Sequence, residues 1–125
     1  MLTNAVISDN GLRVAPGGLE VDIRLPWYRA LPLSTVDIGE VRINGEVIQP
    51  ASMKLRVNGK DFRLEQLENQ TQEVWFVLDS AYLHIDYPKP SQGTEYLVEV
   101  TVFLRPPYIP GLIMPAQAKK RLLAN

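Results

Sequence analysis

The sequence predicts an all-β fold: an antiparallel β-sandwich or partly closed barrel, with short helical turns and an extended Pro-rich C-terminal tail. Three observations predict it. Ten prolines and eight glycines interrupt the 125 residues at short intervals, the spacing of many short strands joined by turns. Between these breaks several segments alternate apolar and polar residues with a period of two, as half-buried strands do. Two Asn-Gly steps sit between such segments, and Asn-Gly is the favoured pair for a two-residue hairpin turn. Residues 1–104 are expected to form the sandwich. Residues 105–125 are expected to form the tail and a short terminal helix of the same domain, since about 100–200 residues make one domain.

The clearest strand is Leu19–Leu25, with Leu19, Val21, Ile23 and Leu25 on a buried face and Glu20, Asp22 and Arg24 on a wet one. Two hairpins follow. One runs Val41–Ile43, Asn44-Gly45, Glu46–Ile48; the other runs Leu55–Val57, Asn58-Gly59, Lys60–Phe62. Beyond the shared turn the two do not match, so they are not a repeat. LEQLEN, residues 64–69, places Leu64 and Leu67 three apart with carboxylates between them, which suits a short helical turn. Val74–Leu78 is a continuous apolar run and is expected to be a central strand buried on both faces. Tyr82–Tyr87 alternates again. After the loop PKPSQG comes the longest strand, Thr94–Leu104, with Tyr96, Val98, Val100, Val102 and Leu104 on one face. RPPYIPGLIMP, residues 105–115, carries four prolines, which forbid a helix or a central strand. AQAKKRLLAN, residues 116–125, is expected to be the terminal helix.

Composition excludes several classes of function. Thirteen basic and fourteen acidic residues leave a net charge of −1, without the basic excess that binds a phosphate backbone, so no nucleic-acid partner is expected. The absence of cysteine excludes disulfides, thiolate metal sites and a thiol nucleophile. A single histidine excludes a His-rich metal site within the chain. No apolar run reaches the roughly 18 residues of a membrane span. The opening stretch MLTNAVISDN lacks the basic and apolar regions of a signal peptide, so a cytoplasmic protein is the expectation.

Candidate chemistry is sparse. Tyr82, His84 and Asp86 fall on one strand face and form an acid–base row or, the reading favoured, a polar surface facing water, since no second histidine or positioned nucleophile accompanies them. Glu65 and Glu68 read as a solvated face rather than a glycosidase pair. Gly17-Gly18 precedes a strand and reads as a turn, not a phosphate loop. No catalytic residue and no metal ligand is assigned. The most unusual segment is RLPWYRALPLS, residues 24–34, where Trp27, Tyr28 and Arg29 stand between prolines. These residue types are enriched at interface hot spots. Trp27 as a plug of the core, and the aromatics as a stacking surface for a ligand, are the competing readings. In the tail, Tyr108, Ile109, Leu112, Ile113 and Met114 are apolar on a segment that cannot be helical, and a partner covering them is preferred to self-packing. The expected partner interface is therefore Trp27, Tyr28, Arg29, Tyr108, Ile109 and Leu112.

The ordered set LPWYRALPLS, INGE, LEQLEN, WFVLD and LRPPYIP resembles the small β subunit of bacterial C-glycoside deglycosidases, from about residue 1 to residue 115. No single motif in the set is a catalytic signature. The resemblance implies an accessory subunit of a lyase complex that cleaves the C–C bond between a 3-oxo sugar and an aromatic, flavonoid-type aglycone. It implies a larger α subunit, a TIM barrel similar to sugar isomerases and epimerases, which carries a divalent metal, typically manganese. In that chemistry the sugar ketone acidifies the neighbouring C2 proton, a base removes it, and the aglycone leaves from C1 once its ring carbon is protonated. Metal and main base are expected on the α subunit, with no cofactor on this chain and a hetero-oligomer as the working form. The alternative is a stand-alone carbohydrate-binding β-sandwich in which Trp27 and Tyr28 stack on sugar rings.

Overall fold

The computed structural model describes residues 6–125. Residues 1–5, the start of the stretch expected not to act as a signal peptide, lie outside the described residues. In chain order the strands are β1 (Ile7–Ala15), β2 (Gly18–Arg24), β3 (Leu31–Pro32), β4 (Val36–Ile43), β5 (Glu46–Val47), β6 (Met53–Val57), β7 (Lys60–Arg63), β8 (Val74–Trp75), β9 (Ser80–Asp86), β10 (Glu95–Leu104) and β11 (Met114–Leu123). They form a five-stranded sheet ordered β1-β2-β9-β6-β7, a four-stranded sheet ordered β11-β10-β4-β5 and a small β3-β8 pair. All pairings are antiparallel. The sheets do not close into a barrel, so the architecture is a sandwich.

Period-two alternation builds the core. Leu19, Val21 and Ile23 of β2, Leu83 and Ile85 of β9, and Met53, Leu55 and Val57 of β6 are buried on one sheet. Val41 and Ile43 of β4 and Tyr96, Val98, Val100, Val102 and Leu104 of β10 are buried on the other, and all belong to one apolar cluster. Both expected hairpins form. Asn44 and Gly45 have φ of 52° and 81°, and Asn58 and Gly59 have 54° and 75°, the paired positive φ that a type I′ turn requires. Residues Leu64–Asn69 form the helical turn, as a 3-10 helix anchored by buried Leu67.

Three features differ from the sequence reading. Val74–Leu78 is not a buried central strand. Only Val74 and Trp75 are strand, paired with Pro32 and Leu31, and the chain then turns. Residues 116–125 are not a helix. Residues 116–123 continue β11, which pairs with β10 over its whole length, from Leu104↔Met114 to Glu95↔Leu123. The open edge of β10 supplies ten residues of ladder, which outweighs the helix propensity of alanine, lysine and leucine. Pro115 is tolerated because β11 is itself an edge. The proline-rich segment between these strands takes the turned form that its prolines left open beside the extended one: Ile109 N donates to Pro106 O at 3.2 Å and Leu112 N donates to Ile109 O at 3.2 Å, giving two successive turns. Finally, Glu20 does point to the outer face of its sheet, but Arg13, Tyr82 and His84 surround it there and leave it 8% exposed.

Candidate functional site

Register places three loops at one end of the sandwich. Arg24 at the end of β2 lies opposite Ser80 at the start of β9, so residues 25–30 leave the sheet beside the turn at residues 76–79. Arg24 Nη1 donates to Leu78 O at 2.5 Å and ties the two together. The third loop, residues 105–113, follows Leu104, which pairs with Val36 and Met114 at the same end. Its root is held by Arg105. The backbone N–H of Arg105 donates to Thr35 O at 2.8 Å, and its guanidinium hydrogen-bonds the Asp37 carboxylate. The hydrogen bond to that carboxylate raises the guanidinium pKa further.

The two segments singled out in the sequence meet here. Trp27 Nε1 donates to the Tyr108 hydroxyl. Arg29 lies over the Tyr108 ring, with Cζ 4.9 Å from its centroid, a cation–π distance. The Trp27 and Tyr28 rings are 5.0 Å apart and tilted by 38°. Trp27 is half-buried and packs against the core, so part of the plug reading holds alongside its surface contacts. Tyr28 is 69% exposed. Arg29, Tyr108 and Ile109 are exposed, and Leu112 is half-buried on the same tail loop.

Sequence reasoning missed Phe76 and Leu78, which are 52% and 82% exposed; Ile113, on the apolar tail it did single out, is 61% exposed. Among the described residues, six of the eight large apolar side chains left in water lie on these loops: Tyr28, Phe76, Leu78, Tyr108, Ile109 and Ile113. The signal for Phe76 and Leu78 was the unbroken apolar run itself, which periodicity assigned to the interior.

The Tyr82–His84–Asp86 row lies on the outer face of the five-stranded sheet; Tyr82 borders the turn at Leu78 and Asp79, and His84 and Asp86 lie farther along β9. His84 Nε2 is 3.3 Å from Asp86 Oδ1, and Nδ1 is 3.9 Å from Glu20 Oε2. Arg13 donates to Glu20 through Nε at 3.0 Å and Nη2 at 2.5 Å, and stands over the Tyr82 ring. The result is a cross-strand network of ion pairs over a shallow cavity of about 230 Å³, lined by Pro16, Glu20, Lys54, Arg56, Asp61, Tyr82 and His84. No serine, threonine or cysteine lines it. Among the described residues no group of three or more His, Asp or Glu side chains is placed to hold a metal ion, and no helix is long and apolar enough to cross a membrane.

A β-sandwich whose one histidine sits in a network of ion pairs, and whose exposed apolar side chains gather mostly on one end, defines an interaction subunit more readily than a self-sufficient enzyme. The C-glycoside deglycosidase beta subunit family model matches residues 2–108. The chain is 36% identical over 110 residues to the 3'-dehydrocarminate deglycosidase beta subunit of a Microbacterium species, covering 88% of this chain and 83% of that one. It is 35% identical over 103 residues to a C-glycoside deglycosidase beta subunit of Arthrobacter globiformis, covering 82% and 78%. It is also 35% identical over 109 residues to one of Microbacterium trichothecenolyticum, covering 87% and 82%. The chain belongs to the C-glycoside deglycosidase beta subunit family. It is accordingly a subunit of an enzyme complex, with a partner subunit in a hetero-oligomer.

Proposed function

We propose that this chain is the accessory subunit of a lyase that cleaves the C–C bond between a 3-oxo sugar and an aromatic, flavonoid-type aglycone. Its loop end, with Trp27, Tyr28, Arg29, Tyr108, Ile109 and Leu112, docks on a larger TIM-barrel α subunit. The observation that carries the docking is the gathering of exposed apolar side chains on loops pinned by Arg24–Leu78, Trp27–Tyr108 and Arg105–Asp37. A monomer seldom leaves such a patch bare. The metal, manganese in this reading, and the base that takes the sugar C2 proton belong to the α subunit. Among the described residues no three His, Asp or Glu side chains group into a ligand set for that metal. Their part is to hold the loops rigid and to shield the partner's surface from water. The complex works in the cytoplasm.

The test is reconstitution. The chain is purified alone and together with an α subunit, and each preparation is assayed with manganese on a 3-oxo C-glucoside for release of the aglycone. The expected result is a stable complex burying more than about 1,000 Å², active only with both chains. An isolated chain that releases aglycone, or a mixture that never associates, overturns the reading.

A further inference from the structure

We infer that Asn10-Gly11, in the bulge of β1, is a modification site: the step at which the folded chain deamidates first, exchanging the Asn10 side-chain amide for a carboxylate.

The chemistry needs only water. The backbone nitrogen of Gly11 bonds to Cγ of Asn10, the Cγ–Nδ2 bond breaks, and ammonia leaves with the proton of the Gly11 N–H. The succinimide ring so formed takes up one water. Opening at one carbonyl gives aspartate; opening at the other gives isoaspartate, in which the main chain runs through the former side chain. Glycine favours the attack because it has no Cβ to hinder its own nitrogen and leaves the backbone free to turn. The asparagine must first swing its side chain and backbone out of the folded arrangement, so whatever holds them sets the rate.

The chain carries three Asn-Gly steps, at Asn10, Asn44 and Asn58. All three asparagines are exposed and have nearly the same φ, 56°, 52° and 54°. They differ in their tethers. Asn58 Nδ2 donates to the Glu73 carboxylate at 2.9 Å and to Val74 O at 2.8 Å, and the pair Val57↔Lys60 closes its turn. Asn44 Oδ1 accepts from Leu97 N at 2.9 Å, Asn44 N donates to Leu97 O at 2.8 Å, and Ile43↔Glu46 closes that turn. Asn10 has neither restraint. Among the described residues its side chain makes no hydrogen bond, and its carbonyl accepts only a long one from Asn125 Nδ2, at 3.3 Å. It lies where β1 loses register between Ile7 and Leu12, so residues 8–11 pair with nothing on β2. Such a bulge opens at less cost than a closed hairpin turn.

The fold keeps this reactive step because it needs both residues. Asparagine tolerates the positive φ at position 10 better than most side chains. At position 11 a Cβ would stand 2.7 Å from Ser8 O and 3.1 Å from Asp22 Cβ. The product has a physical consequence. Its carboxylate enters the rim of a cavity of about 260 Å³ shared with Glu20, Asp22 and Asn125, while the nearby Lys120 ammonium is already taken by Asp9. Isoaspartate also adds a main-chain carbon just before Leu12, whose carbonyl accepts from Asn125 N at 3.0 Å. Deamidation therefore loosens the seam between β1 and Asn125.

The experiment holds the full-length chain at mildly alkaline pH, folded and in urea, and follows the three Asn-Gly peptides by mass spectrometry. In the folded chain Asn10 is expected to convert at least about tenfold faster than Asn44 and Asn58. In urea the three rates are expected to converge, which assigns the difference to the fold and not to neighbouring residues. The thermal midpoint of the folded chain is expected to fall as Asn10 converts. It should fall further than in an Asn10→Asp variant, which carries the charge without the added main-chain carbon. Conversion of Asn44 or Asn58 as fast as Asn10 in the folded chain overturns the proposal. So does an Asn10 that stays intact when folded while the urea sample reacts. Full conversion of Asn10 with an unmoved midpoint overturns its link to the β1 seam.

Discussion

Gly17 and Gly18 are neighbours that must be glycine for opposite reasons. Gly17 has φ of +82° and follows Pro16 in the β1–β2 turn, but a Cβ there would meet open space. Its constraint is conformational alone. Gly18 has ordinary backbone angles, yet a Cβ would stand 1.9 Å from the carbonyl oxygen of Ile85. That atom is backbone in a paired strand and cannot move aside. Gly17→Ala is expected to cost about 1–2 kcal/mol, the left-handed penalty. Gly18→Ala is expected to cost about 3 kcal/mol or more, because β2 must separate from β9. Urea midpoints of the two variants give the order directly; equal losses would show that the close approach at Gly18 is relieved cheaply. Residue types were enough to flag Trp27, Tyr28, Arg29 and Tyr108 in the sequence. That Trp27 touches Tyr108 was not legible, because 81 residues separate them and only the sheet register brings them together.

Strands buried on one face were legible as elements, because burial imprints a period of two: β2, β9, β10 and both Asn-Gly hairpins are where alternation and turn chemistry placed them. Where the period is absent or weak the reading failed. The run Val74–Leu78 carries no period, so nothing in it separates a strand buried on both faces from a strand that stops and displays its next residues. In β11 the inward positions are Ala116, Ala118, Lys120 and Leu122. Two small alanines and a lysine give little contrast with the outward residues, and Lys120 faces inward because its ammonium reaches Ile7 O and Asp9, each at 2.7 Å. The link between the β6–β7 turn and the approach to β8 carries a test of its own. Glu73 accepts from Asn58 Nδ2 and Lys60 Nζ, both at 2.9 Å. The Asn58 hydrogen bond first, and Lys60 next, hold its carboxyl below the usual range. A carboxylate depressed on folding stabilises above its unfolded pKa, and that stabilisation is lost as pH falls through the folded value. Glu73→Gln should therefore lower the thermal midpoint at pH 7, and the gap to the native chain should close by about pH 3. A gap of the same size at both pH values would mean that the bond acts through shape and not charge.

For the whole molecule the question is where chemistry resides once the chain is assembled, and His84 decides it. The histidine is half-buried on a sheet face, four residues along β9 from Ser80 and hence about 13 Å from the loop end. Its neighbours Glu20 and Asp86 are carboxylates, and the nearest hydroxyl on its row is the phenol of Tyr82, under the Arg13 guanidinium. A base needs a proton within about 3 Å to take, and this face presents charged side chains already paired with one another. If the loop end docks on the partner, His84 stays outside the contact and away from any sugar held by the barrel. His84→Gln in the assembled complex is therefore expected to leave kcat within about twofold of the native value, with the pH profile unmoved. The glutamine keeps a hydrogen-bonding group of similar size beside Asp86, so assembly should be unaffected as well. A fall in kcat of about 100-fold at unchanged KM, with the basic or acidic limb of the profile displaced, would place acid–base chemistry on this sheet. The outer face, and not the loop end, would then be the surface turned toward the substrate.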